Sequence, residues 1–191
     1  ANYSFVENNT LMKASASDEN AAKSILSLNS LNEMLKAHKT ALESFPSIQW
    51  ESNAEFIFQN KNQLYKVDMT KNAASILSSW NEKAENTEIE PQSKRVAYTI
   101  ANNLYLSDNQ KQLQLTNDPE NVVNGQTVHR SEFGITGGIF WSPKGNLLAY
   151  YHKDERMVGD YPLVDITAPE ATVKKIKYPM AGSTNELVKV A

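Results

Sequence analysis

Trp141-Ser142-Pro143-Lys144-Gly145-Asn146-Leu147-Leu148-Ala149-Tyr150 lies without a gap on Ile89-Glu90-Pro91-Gln92-Ser93-Lys94-Arg95-Val96-Ala97-Tyr98. The proline, the closing Ala-Tyr and the apolar pattern coincide. A looser third copy, Ile48-Gln49-Trp50-Glu51-Ser52-Asn53-Ala54-Glu55-Phe56-Ile57-Phe58, is one residue shorter in its turn. Each copy is an apolar start, a polar turn and a hydrophobic strand. The step from Trp50 to Ile89 is close to the period of about 40 residues of four-stranded propeller blades. The next step is longer because of an insertion around Asp118 to Glu132. The pattern predicts a mostly β chain, a partial β-propeller of about three to four four-stranded antiparallel blades. An antiparallel sandwich of unrelated hairpins is the alternative.

Strand signals extend outward from these copies. Glu55–Phe58, Gln63–Asp68, Arg95–Ile100, Asn103–Leu106 and Leu147–Tyr151 are short runs rich in β-branched or aromatic residues. Asn60-Lys61-Asn62, Ala101-Asn102 and Lys144-Gly145-Asn146 supply the turns between them. Alternation along such strands places Trp50, Phe56, Phe58, Tyr98, Trp141, Leu148 and Tyr150 at least partly inside. One short helix in a connection is expected at Ser30 to His38. Ser30 and Glu33 have the spacing of a capping box, and Leu31, Met34, Leu35 and His38 share one face. Lys36 and Lys39 stand toward its C-terminal end, where the helix dipole favours cations.

Composition narrows the function classes. The chain has 191 residues, 40% of them hydrophobic, and a net charge of −3, enough for one domain with a core and without the basic footprint of a nucleic-acid or anionic-membrane binder. No apolar run is long enough to span a bilayer, and Ala1 to Lys13 lacks the layout of a signal peptide. Without cysteine there is neither disulfide, thiol nucleophile nor thiolate metal site.

Motifs for covalent chemistry are missing from the sequence. There is no Gly-x-Ser-x-Gly elbow, and His38, His129 and His152 form no His-x-x-x-His pair, so no metal site and no cofactor are expected. Gly134-Ile135-Thr136-Gly137-Gly138 lacks both the phosphate-loop lysine and the dinucleotide glycine order, and reads as a flexible turn before a strand. Asp154-Glu155, between Lys153 and Arg156, reads as a solvated loop.

From Gln126 onward the succession is distinctive: Val128-His129-Arg130-Ser131-Glu132-Phe133-Gly134, Phe140-Trp141-Ser142-Pro143-Lys144-Gly145, Leu148-Ala149-Tyr150, Pro162-Leu163-Val164-Asp165, Tyr178-Pro179-Met180-Ala181-Gly182 and Val188-Lys189-Val190. It resembles the N-terminal β-propeller of dipeptidyl peptidase IV and its bacterial relatives in the prolyl oligopeptidase family. The resemblance covers residues 44–191 well, as repeated blades, and residues 1–43 loosely, as an entry segment with the helix. It implies a serine exopeptidase that releases N-terminal X-Pro or X-Ala dipeptides. Its propeller recognises substrate, and a following α/β-hydrolase domain carries the triad. That domain is absent here, so the chain reads as a truncated propeller with no catalytic residue, not an enzyme by itself.

The resemblance also implies partners and a site. The partners are the peptide substrate's N-terminus and the hydrolase domain; separately, incomplete closure would leave a blade face uncovered, so self-association or a partner is expected there. An exported, periplasmic or cell-surface location follows from the resemblance. A pair of adjacent glutamates in the family holds the substrate's α-ammonium group. Here Arg130-Ser131-Glu132-Phe133 stands at that place, with Glu132 as the amine-binding carboxylate, Ser131 where the other glutamate is expected, and Arg130 as possible support. A propeller scaffold that binds a protein partner without a peptidase role is the alternative function.

Overall fold

In the computed structural model, residues 2–15, 17–108, 111–128, 133–167 and 170–191 are described. They form two compact units, Ala1–Ser79 and Trp80–Ala191. Almost all regular structure is antiparallel β, with a single α-helix among the described residues.

The first unit opens with a three-stranded meander, β1 (Asn2–Glu7), β2 (Thr10–Ser15) and β3 (Asp18–Ser27). Asn8 and Asn9 join β1 to β2 with φ of 47° and 59°. That left-handed pair is the turn whose twist matches a hairpin, and asparagine tolerates it. The helix α1 (Leu28–Leu35) follows directly, with a 3-10 turn at Lys36–His38. Its start differs from the expectation of a Ser30 cap. Ser27 is the N-cap, and its Oγ accepts the Ser30 N–H at 3.1 Å. Glu33 does not close a capping box; it pairs with Lys36 at 2.7 Å. The reason is that β3 runs up to Ser27, so the last strand residue is already the cap.

Helix spacing then decides what α1 buries. Leu31, Met34 and Leu35 fall on one face and pack with Leu11, Leu26 and Phe45 and with Phe56, Phe58, Tyr65 and Val67. These last four lie on a second meander, β4 (Gln49–Trp50), β5 (Glu55–Asn60), β6 (Gln63–Asp68) and β7 (Ala73–Ser79). Phe58 faces Tyr65 across β5 and β6, their rings stacked at 5.2 Å. Such a pair contributes about 1 kcal/mol beyond the area it buries.

The second unit begins with another four-stranded meander, β8 (Glu85–Ile89), β9 (Val96–Ile100), β10 (Asn103–Asp108) and β11 (Lys111–Gln114). A third sheet is built on β14 (Leu148–Asp154). One edge of β14 pairs with β12 (Val122–Asn124) and with β13 (Ile139–Trp141) in turn, the other with β17 (Leu187–Val190). Between β14 and β17 the hairpin of β15 (Asp160–Asp165) and β16 (Thr172–Lys177) pairs with itself.

The repeat seen in the sequence is a repeat of register. Ile89 faces Val96 and Trp141 faces Leu148, as the gapless overlay requires, and Trp50 faces Phe56 across a turn one residue shorter. Phe56, Phe58 and Tyr98 are buried; Trp50, Trp141, Leu148 and Tyr150 are partly so. Two details depart from expectation. Part of the Asp118 to Glu132 insertion is strand β12, and Asp154 ends a strand that two neighbours extend, so it is not in a solvated loop.

The cap assignment can be tested directly. Ser27→Ala should lower stability by about 1 kcal/mol, whereas Ser30→Ala, which keeps its N–H, should cost less than half as much. Urea midpoints with unchanged slopes would measure both.

Candidate functional site

The third sheet positions the segment that carries the sequence-derived site. Because β12 and β13 lie end to end along one edge of β14, the chain between them leaves that edge and returns to it. Tyr151 closes the base with its own peptide groups: its N–H donates to Gly138 O at 3.0 Å and its carbonyl accepts from Gly125 N at 2.9 Å. Two glycines make this closure possible. Gly125 has φ +69°, and a Cβ on Gly138 would lie 2.2 Å from the Gln126 carbonyl oxygen. Val128 is buried just inside the excursion, while Phe133 is 88% exposed with φ +58°. Glu132, Arg130, Ser131 and His129 lie outside the described residues. The structure therefore fixes the two ends of the segment that bears Glu132.

A polar network holds β12 onto β14 at the same place. Asn124 is fully buried. Its Nδ2 donates to Asn102 O at 3.2 Å and to Asp118 Oδ2 at 3.0 Å, so its Oδ1 is the acceptor toward His152 Nδ1 at 2.9 Å. The histidine's proton is thereby placed on Nδ1. Asp118 is anchored in turn by its N–H to Asn103 Oδ1 at 2.9 Å. The sequence reading missed Asn124, Asp118 and this role of His152. Only the Asn124-Gly125 turn dipeptide signals it.

A second cluster locks the Trp-Ser-Pro-x-Gly turn. The Arg95 guanidinium lies 5.2 Å from the Trp141 ring centroid and donates to Gly145 O, while Trp141 Nε1 donates to Glu88 O at 3.1 Å. Glu90, 2% exposed, accepts from the Ser93 hydroxyl at 2.6 Å, from Ser93 N and from Gln92 N at 3.1 Å. The Ser93 hydroxyl and these amides hold its carboxyl below the usual range. Gly145, at φ +67°, would drive a Cβ to 2.5 Å from Glu90 Oε1. Trp141 is the stacking platform and Gly145 the close approach, which is why the motif needs both.

Beyond the base, Asp154 and Glu155 are not free acid–base candidates. Arg156 binds Asp154 through Nε at 2.9 Å and Nη2 at 2.6 Å, and Lys153 meets Glu155 at 2.5 Å. The Arg156 hydrogen bonds lower the Asp154 carboxyl to about 2. His38 Nε2 is bonded to Ala74 O at 2.9 Å. Among the described residues no group of three or more His, Cys, Asp or Glu side chains could hold a metal, and no helix is long and apolar enough to cross a membrane. What the described geometry offers is a base at Tyr151, which holds the chain where it leaves the β14 edge at Gly125 and where it returns at Gly138.

Residues 43–191 match the family model of the dipeptidyl peptidase IV (DPP IV) N-terminal region. The chain belongs to this family. It is 39% identical to a Bacteroides ovatus protein named a "putative dipeptidyl aminopeptidase IV", with a TM-score of 0.82 over 95% of this chain and 26% of that one. The dipeptidyl peptidase 4 of Porphyromonas gingivalis shares the fold, with a TM-score of 0.64 at 19% identity over 99% of this chain and 29% of its own. A curated Talaromyces marneffei relative named "Probable dipeptidyl-aminopeptidase B" is 35% identical over 59% of this chain and 14% of its own length. The one from Podospora anserina is 30% identical over 72% and 17%. The chain thus spans under a fifth of these two fungal relatives. Its sheets are blades of a partial DPP IV-type β-propeller, and the excursion from β14 is part of that N-terminal region.

Two measurements probe the base. Gly138→Ala must displace the Gln126 backbone and should cost about 2 kcal/mol or more, while Gly134→Ala, with open space but φ +75°, should cost about 1 kcal/mol; chemical denaturation ranks them. Asp154 titrates lower in the folded chain than the ordinary carboxylate value, so its pairing contributes stability above about pH 4 that is lost as pH falls toward 2. Asp154→Asn should flatten that part of the stability profile in acid titrations followed by circular dichroism.

Proposed function

We propose that this chain is the substrate-recognising part of the β-propeller of a dipeptidyl aminopeptidase, a serine exopeptidase that removes N-terminal X-Pro or X-Ala dipeptides. The family match over residues 43–191 carries this reading. The geometry supports it, because the segment bearing Glu132 springs from a base pinned by Tyr151, Gly125 and Gly138. A carboxylate so placed accepts charge-assisted hydrogen bonds from the peptide's α-ammonium group. Anchoring the amine at a fixed distance from a nucleophile on the hydrolase domain measures off two residues. In this reading Arg130 is the candidate support for that carboxylate, and Ser131 in place of a second glutamate leaves one negative charge for the task. The partners in this reading are the peptide N-terminus and the hydrolase domain, and the compartment is outside the cytoplasm, periplasmic or cell-surface.

The chain alone should leave a chromogenic Gly-Pro amide intact, since recognition without a nucleophile and base breaks no bond; turnover above the buffer blank by the purified chain would contradict this. In the full-length parent, Glu132→Gln keeps shape and removes charge, so kcat/KM for dipeptide amides with a free amine should fall sharply. A value within about twofold of wild type, under about 0.5 kcal/mol, would overturn the assignment of Glu132.

A further inference from the structure

Asn124-Gly125 is the single Asn-Gly pair in the sequence, and the fold requires both of its members. Gly125 is buried with φ +69°, and a Cβ there would lie 3.0 Å from Ile139 Cγ1, 3.0 Å from Thr99 Cγ2 and 3.1 Å from Leu104 Cδ1. A left-handed backbone walled in on three sides leaves room for glycine alone. At position 124 the surroundings ask for two donated hydrogen bonds, to Asn102 O and Asp118 Oδ2, and for one accepted from His152 Nδ1. Among side chains of this length, only asparagine offers both.

The same pair is chemically labile, because glycine places no side chain in the way of its own nitrogen. That nitrogen can give up its proton and bond to Asn124 Cγ; the Cγ–Nδ2 bond breaks, and Nδ2 leaves as ammonia with the proton that Gly125 lost. Water then opens the five-membered imide at either carbonyl, giving aspartate or an isoaspartate whose main chain runs through Cβ and Cγ. In the folded chain the nucleophile is withheld. The Gly125 N–H donates to Tyr151 O at 2.9 Å, and the Asn124 N–H donates to Asn102 O at 2.9 Å. Ring closure also needs rotation about the Asn124 Cα–C bond, which the pairing of β12 with β14 blocks. The electrophile, by contrast, is primed, since the His152 Nδ1–H polarises the carbonyl that would be attacked. Protection therefore rests on the pairing of β12, a strand of 3 residues.

Modification would remove what holds the strand. In an aspartate, an oxygen takes the place of Nδ2, which stands 3.2 Å from Asn102 O and 3.0 Å from Asp118 Oδ2. Acceptor then meets acceptor, and carboxylate meets carboxylate. An isoaspartate lengthens the backbone inside the strand and shifts its register. We propose that Asn124 is a deamidation site gated by the pairing of β12 with β14, and that its modification releases the first end of the excursion for good. Opening of β12 exposes the site, and the product does not dock again.

Two rates measured on the full chain at mildly alkaline pH test this. Deamidation at Asn124 is followed by peptide mapping and mass spectrometry, and exchange of the Gly125 amide by NMR. Both reactions need the same N–H released from Tyr151, so urea below the unfolding transition should accelerate both by the same factor. A free peptide with the sequence of residues 122–128 should deamidate about a hundredfold faster than the folded chain. Val122→Ala, at a buried position of β12 that makes no bond to Asn124, should speed both reactions about tenfold. Asn124→Asp, the product itself, should raise Gly125 exchange about tenfold or more. Adding Asp118→Asn, which turns that neighbour into a donor, should return most of the protection. Deamidation of the folded chain at the peptide's rate would overturn the gate, as would a deamidation rate that stays constant while Gly125 exchange rises. A Gly125 amide as protected in Asn124→Asp as in the unmodified chain would overturn the release.

Discussion

A buried carboxylate organises the joint between successive sheets of the second unit. Glu90 satisfies the amides of its own turn and, from the same position, fixes how near the Gly145 turn can come. Removing the carboxylate would strand the Gln92 and Ser93 amides, and adding a side chain at Gly145 would push the turns apart. Arg95 reaches from the Glu90 turn onto Trp141 and Gly145, so polar and aromatic contacts cooperate in holding one spacing. A sheet whose first hairpin is clamped in this way presents β14 with a defined edge, and everything beyond β14 inherits that geometry.

On that edge the chain solves a conflict between order and reach. A segment that joins two strands on one edge must leave the sheet, yet its ends must not wander. Splitting the edge between β12 and β13 meets both demands, because pairing resumes in register on each side of the excursion. The Asn124, His152 and Asp118 network reinforces the β12 side, where only three residues pair. The cost is a fully buried amide that has to be satisfied on every side, and it is.

The parts that were legible in the sequence are those governed by local spacing. Register followed from the gapless overlay because hairpin geometry ties turn length to pairing, so Ile89–Val96 and Trp141–Leu148 could be anticipated as equivalent. The N-cap could not, since both Ser27 and Ser30 are good caps and the choice depends on how far β3 persists. The polar network was hidden for a different reason: Asn124 and His152 meet only after β12 is laid on β14, and nothing near either residue announces the other. Glu132 came from family resemblance, and local pattern alone would have read it as one more surface glutamate.

The divided edge of β14 also bears on how such a protein can change over generations. Residues added to or removed from the stretch between Gln126 and Gly137 alter neither β12 nor β13, since each is registered independently on β14. The length of that stretch can therefore vary while both flanking pairings keep their register. Length at this position is decoupled from register, whereas the buried Val128 and the left-handed Gly134 still tie its sequence to stability.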